Sequence, residues 1–317
     1  MLGILLITFP FFALVLCGYL AARRGLLPQA AIPGLNTFVL YFALPCMLYR
    51  FGASTPVAQL LDGSVIGVYL VCALLLVAFT IAVTRNRRIG WNDASFGALV
   101  AAFPNTGFMG VPLLVALLGA QAAGPAIVTI LVDLVVTSSL CIALSRLGSA
   151  DIHGAEVAAR KALRGVALNP MPWAILLGGL SSGLNLALPG PVMQTLGLLA
   201  DAASPVALFT IGAVLARSQM NSIEAIPLKD YVPVALIKLV VHPLLVGLVG
   251  LAAIALGVPL SPFALTVIVL VAALPSASNV SLLAEKFGAN NGRIARIILV
   301  STVLAFFSFS AAVALLT

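Results

Sequence analysis

Ten long apolar stretches organise the chain, near 2–22, 33–51, 64–84, 94–118, 124–146, 169–187, 195–216, 231–256, 261–284 and 292–316. Each approaches the roughly 20 residues that carry a helix across about 30 Å of hydrocarbon, so the pattern predicts ten membrane-spanning helices. The fourth stretch breaks its own pattern. Within "AAFPNTGFMGVPLL" (101–114) two prolines, two glycines and an asparagine stand where a spanning helix needs unbroken apolar residues. Proline removes a backbone donor and clashes with the carbonyl four residues back, at about 3 kcal/mol in a helix interior.

The break recurs. "ALPCMLYRFG" (43–52) matches "ASPVALFTIG" (203–212), "LLVALLGAQ" (113–121) matches "LLAEKFGAN" (282–290), and Gly18 with Pro28 matches Gly179 with Pro189, in one order along both halves. The chain therefore reads as two five-span repeats, 1–146 and 169–317, joined by a linker over 147–168. An odd number of spans per repeat inverts the second copy in the membrane, the architecture of secondary transporters. In this alignment Pro104 falls on Pro275, and "AAFPNTGFMG" faces "AALPSASNVS" (272–281). At about 1.5 Å per residue both prolines sit near the midplane. Such breaks survive in lipid where they are buried in protein or line a wet cavity.

The expected site follows. The first break should unwind through 105–110, with Pro112 opening a new half-helix, where its missing N–H costs nothing. Ser276, Ser278 or Asn279 should cap the second half-helix. Both half-helices would turn positive dipole ends toward an anion, with Asn105, Thr106, Gly107, Ser276, Ser278 and Asn279 as binding residues.

Composition agrees: 62% of residues are apolar and 8% charged, which excludes a soluble domain. All 16 Lys and Arg except Arg50 and Lys238 fall in or beside the odd-to-even connections, at Arg23 and Arg24, 85–88, 146–164, Arg217 and Lys229, and 286–296. The positive-inside rule puts those connections in the cytoplasm and both termini on the outer face. This topology accounts for the +7 formal charge, and no nucleic-acid partner is implied. The first stretch lacks a basic segment before it and is followed by Arg23 and Arg24, as in a retained span. Residues 155–168 could form a short basic helix on the inner surface, in a segment that otherwise reads as a solvated linker between the halves. Cys17, Cys46, Cys72 and Cys141 show no metal or disulfide spacing, and His153 and His242 are too few for a metal site.

Ionisable residues within spans are costly and become functional candidates. Lys238 is expected to offset substrate charge or replace a coupling cation, against a reading in which it snorkels to the interface. Asp133, aligned with Ser301, is expected to pair with Lys238 or carry a coupling proton or Na⁺, against a structural hydrogen-bonding role. His242 shares a face with Lys238 and could titrate or simply pack. Asp201, Glu285 and Arg296 lie near span ends. No HExxH, GxSxG or P-loop sequence is present, so no enzymatic motif and no cofactor is implied.

The "FPNTGFMGVPLL" of span 4, "IKLVVHPLL" (237–245) and "LPSASNVSLLAEKFG" (274–288) together resemble the auxin efflux carrier family, in the compact form of its bacterial malonate and malate permease-like members. The resemblance implies ten spans with broken helices 4 and 9 crossing at the centre. It also implies a scaffold of spans 1, 2, 6 and 7 and a transport unit of spans 3–5 and 8–10 that moves like an elevator. The short linker departs from plant members, so kinase regulation is not implied. The expectation is an all-α carrier of a small organic anion in the cytoplasmic membrane, with lipid around it and a homodimer held through the scaffold. A sodium-coupled bile-acid type carrier, a channel and a membrane receptor are the alternatives.

Overall fold

Helices form wherever the apolar stretches run free of proline, and they widen or stop where proline intervenes. The computed structural model describes residues 2–147, 157, 160, 164, 165, 167–221 and 226–317. Most of the linker 147–168, including His153 and more than half of the basic helix expected over 155–168, lies outside the described residues. Among the described residues there is no strand, and the main helices are α1 (Leu2–Arg23), α2 (Gln29–Ser54), α3 (Gly63–Thr84), α4 (Trp91–Ala102), α5 (Thr106–Leu118) and α6 (Ala120–Leu144). They continue as α7 (Pro170–Gly183), α8 (Gly190–Asn221), α9 (Val232–Ala255), α10 (Pro262–Ala273), α11 (Asn279–Lys286) and α12 (Asn291–Leu316).

Among the described residues, seven helical segments are long and apolar enough to cross a membrane on their own: Gly3–Arg23, Gln29–Ser54, Val57–Thr84, Ala120–Leu144, Gly190–Met220, Val232–Ala255 and Asn291–Leu316. The three other expected stretches differ. Stretch 94–118 is divided into α4 and α5, stretch 261–284 into α10 and α11, and stretch 169–187 is the 14-residue α7. The protein is thus an all-α, multi-pass membrane protein, with apolar side chains such as Leu6, Phe9 and Leu16 standing exposed.

The helices are punctuated by π-type turns, and three share a cause. Val39–Ala43 is followed by Pro45, Thr106–Gly110 by Pro112 and Ile237–Val241 by Pro243. In each case the carbonyl that the proline ring would strike, four residues back, lies inside the widened turn, so the wider ring removes the clash. The fourth, Asp133–Thr137, has no proline after it.

The chain divides into two compact units. The first comprises Met1–Asp62, Thr106–Val128 and Asn169–Asn221. In it α1 packs on α8 and α2 on α7 and α8. The close crossings are made at glycine: a Cβ on Gly18 would strike the Phe209 carbonyl, one on Gly212 the Val15 carbonyl, and one on Gly178 would stand 2.5 Å from the Tyr49 carbonyl oxygen. Small residues bring helix backbones together in lipid, where packing replaces the hydrophobic effect. Arg50 on α2 also pairs with Asp201 on α8 at 2.7 Å.

The second unit comprises Gly63–Asn105, Thr129–Leu168 and Ser222–Thr317. Here α3 packs on α4 and α9, α9 on α10, and α12 on α10 and α11. At the start of α4, the Asn92 amide donates to the Phe287 and Gly288 carbonyls, and the Asp93 carboxylate accepts from the Asn290 N–H at 2.7 Å. Arg293 completes this clasp by donating to the carbonyls of Asp93 and Asp230 at 2.8 and 2.7 Å. Sequence position put Arg293 with the loop charges; the structure buries it at 3% exposure.

Candidate functional site

Two interruptions define the site. α4 stops at Ala102 and α10 at Ala273, and Pro104 and Pro275 lie in the non-helical stretches 103–105 and 274–278. There the chain segments meet in a single antiparallel bridge between Pro104 and Ser276. The Asn105 N–H donates to the Pro275 carbonyl at 2.8 Å, and the Ala277 N–H to the Phe103 carbonyl at 2.9 Å. The Ser276 N–H donates to Ser301 Oγ on α12 at 3.2 Å. Each break therefore satisfies backbone groups that the other frees, which answers how both persist without water.

Three expectations need correction. The first break is short: Thr106–Gly110 is already helical, as the π-type turn that makes room for Pro112. The serine and asparagine cap does not form either, because Ser278 sits at the N-cap with helical dihedrals (φ −70°, ψ −26°) and makes no side-chain capping bond. And the amides at the breaks are only partly free, since those of Asn105, Ser276 and Ala277 are engaged. What remains is the first turn of α11, where the N–H groups of Ser278 and Asn279 make no hydrogen bond among the described residues.

Polar atoms gather around that turn without partners. Ser276 is 1% exposed, and its Oγ and Asn279 Oδ1 are buried and unbonded; Asn105, at 4% exposure, makes no side-chain hydrogen bond. Thr106 and Gly107 belong to the first unit. Thr106 Oγ1 is likewise buried and unbonded, while a Cβ at Gly107 would meet Leu44 only in ordinary contact at 3.7 Å. An unmet buried polar group costs about 1–3 kcal/mol, so these atoms are places where a ligand or water would be held.

Lys238 does not snorkel. It is fully buried, and its Nζ donates to the Ala272 carbonyl at 2.7 Å and lies 3.0 Å from His242 Nδ1. Ala272 is in the last turn of α10, so the ammonium sits against the negative end of that half-helix, two residues before the break. With Lys238 as an ammonium, which has no lone pair, Nδ1 accepts and Nε2 carries the ring proton; among the described residues Nε2 is buried without a partner. Asp133, also fully buried, accepts from Tyr69 Oη and from Thr137 Oγ1, both at 3.0 Å. It does not form the expected ion pair with Lys238. The connection runs instead through Tyr69, whose ring lies 6.1 Å from that of His242, centroid to centroid. Both charges stay near enough to act on each other electrostatically.

Tyr69 and Ser301 are the structural partners that sequence left unassigned. Tyr69 stands mid-span with a hydroxyl that must be paired in lipid, a signal available in the sequence. Ser301 appeared only as the counterpart of Asp133. Asp201 and Glu285 are exposed, as their positions near span ends imply, and Arg296 donates to the Ile226 carbonyl. Among the described residues no group of three or more His, Cys, Asp or Glu could hold a metal.

Apolar helices broken at a buried polar centre form the architecture of a membrane transport protein. Residues 5–313 match the family described as "Membrane transport protein", and the chain belongs to that family, the auxin efflux carriers and their relatives. It is 30% identical over 302 residues, 94% of this chain and 91% of the relative, to the "Putative malonate transporter" of Rhizobium meliloti (strain 1021). It is 26% identical over 281 residues to the "Uncharacterized transporter YfdV" of Escherichia coli (strain K12), covering 88% and 86% of the two chains. An "Uncharacterized transporter" of Methanothermobacter thermautotrophicus is 27% identical over 300 residues, covering 93% and 92%.

Proposed function

We propose that this transporter is a secondary carrier of a small carboxylate anion, working by elevator-type alternating access in the cytoplasmic membrane. The observation that carries the reading is the unmet polar set at the crossing: Ser276 Oγ, Asn279, the free Ser278 and Asn279 amides and the Asn105 side chain. A carboxylate accepts from hydroxyl and amide donors at a helix N-terminus, and the α11 dipole favours its charge. Lys238 would balance that charge, with Asp133 and His242 serving ion coupling. Thr106, Gly107 and the helix breakers Pro104, Pro112 and Pro275 complete the proposed substrate path. The name of the Rhizobium relative supports a dicarboxylate such as malonate.

The architecture proposed with it is ten spans in two inverted repeats, both termini outside. The glycine crossings support it: Gly52 and Gly212, matched in the repeats, each press on a glycine-bearing helix of the other half, at Ile175 and Gly178 on α7 and at Val15 and Tyr19 on α1. Spans 1, 2, 6 and 7 would be the scaffold and homodimer contact, and spans 3–5 and 8–10 the moving part.

Counterflow of labelled malonate, malate or indole acetate into proteoliposomes tests the reading, with and without Na⁺. Saturable uptake with trans-stimulation is expected. Non-saturating flux would instead favour a channel. Asn105→Leu should abolish substrate-dependent thermal stabilisation in a folded protein, and undiminished binding would remove the crossing as the site.

A further inference from the structure

The Asp133 turn is the one π-type turn among the described residues with no proline to explain it. Its widening is held instead by side chains of the turn itself. The Asp133 carbonyl accepts both the N–H and the hydroxyl of Ser138, the latter at 2.8 Å, and the carboxylate takes the Thr137 hydroxyl. Such turns interrupt helices frequently at functional sites. The product is a carboxylate at 0% exposure whose two oxygens are met by hydroxyls, on α3 and α6, and, among the described residues, by no cation.

We propose that Asp133 is the carrier's proton site, loaded when a carboxylate substrate binds near Lys238 and emptied when it leaves. The inference rests on the carrier reading and names its coupling ion. A buried carboxylate of this kind needs a proton, a bound cation or a neighbouring positive charge. Lys238 supplies the last while the substrate site is empty. When an anion arrives and claims the Lys238 charge, the buried cluster gains negative charge, and one proton, released as an O–H bond of a bulk hydronium breaks, offsets one unit of it. One O–H bond forms on Asp133, and the Tyr69 or Thr137 hydroxyl facing that oxygen turns its hydrogen away. The total charge of the cluster, substrate included, rises by the one unit that the proton brings. A metal cation fits less well, because the nearby ammonium repels it and both carboxylate oxygens already hold hydroxyl hydrogens.

The titratable groups facing Asp133 are few. Among the described residues, α3 brings Tyr69, α6 itself Cys141 and α9 Lys238, with Cys72 beside Tyr69 and His242 beside Lys238. α4, which packs on the same turn, carries no titratable residue beyond Asp93 at its start.

Malonate affinity of the purified full-length carrier, measured by calorimetry across a pH range where malonate is fully ionised, tests the proposal. One linked proton makes the apparent Kd fall by up to about tenfold per pH unit on acidification. Asp133→Asn should flatten that slope, whatever its absolute affinity, and Tyr69→Phe should shift it to higher pH. A slope that survives in Asp133→Asn, or one replaced in wild type by dependence on Na⁺, overturns the proton site while leaving the carrier intact. Absence of malonate binding would count against the substrate reading alone. Infrared difference spectra then decide the proton site without ligand: acidification should raise a carboxylic C=O band missing in Asp133→Asn, and its absence in wild type overturns the proposal.

Discussion

Ser276 shows how a residue can be poor for stability and good for binding. Its hydroxyl is buried with no partner, so Ser276→Ala loses no hydrogen bond, and the ligand-free protein should melt no lower than wild type. Substrate-induced stabilisation should shrink at the same time; both are readable in one thermal-shift series. Lys238→Met is expected to behave oppositely. It strands the buried Ala272 carbonyl, at about 1–3 kcal/mol for an unmet polar group, and removes the nearby positive charge from Asp133. Sequence made Asn105, Ser276, Lys238 and Asp133 visible because polar residues in lipid are expensive. It could not reveal that Asp133 turns to Tyr69 rather than to Lys238, since that choice depends on which helix faces lie together.

Single elements show why helix ends were read less well than helix existence. The stretch 105–110 contains two glycines and precedes a proline, and looked unwound. A π-type turn is the cheaper solution, because it keeps most backbone bonds while clearing the carbonyl from the Pro112 ring. The same device precedes Pro243 and sets the register of Lys238. Pro243→Ala should let that turn close into regular helix and rotate Lys238 away from Ala272, by about 100° if one residue is taken up. Transport should fall, and the melting temperature with it, because the Ala272 carbonyl loses its donor as it does in Lys238→Met. The glycine crossings give the contrary case. Gly18→Ala drives a methyl into the Phe209 carbonyl and should cost about 1–3 kcal/mol in thermal unfolding, whereas Gly34→Ala, with open space around it, should be neutral.

At the scale of the whole molecule, the membrane class was legible in composition, and the family in three short segments. Seven helices rather than ten stand alone as spans because the proline breaks divide two stretches and α7 is short. The proposed orientation predicts that alkaline phosphatase fused after Thr317 is active outside the cytoplasm, while a fusion within 85–90 is inactive. The paired breaks also bear on how such a chain is made. The carbonyl of Phe103 and the N–H of Asn105 find their partners only in residues 275–277, about 170 positions later in synthesis. Until then the nascent first half carries an open wound at mid-membrane. A chain truncated before α10 should therefore be retained by insertion factors or degraded, even though six of its described helical segments are long and apolar enough to enter the bilayer alone.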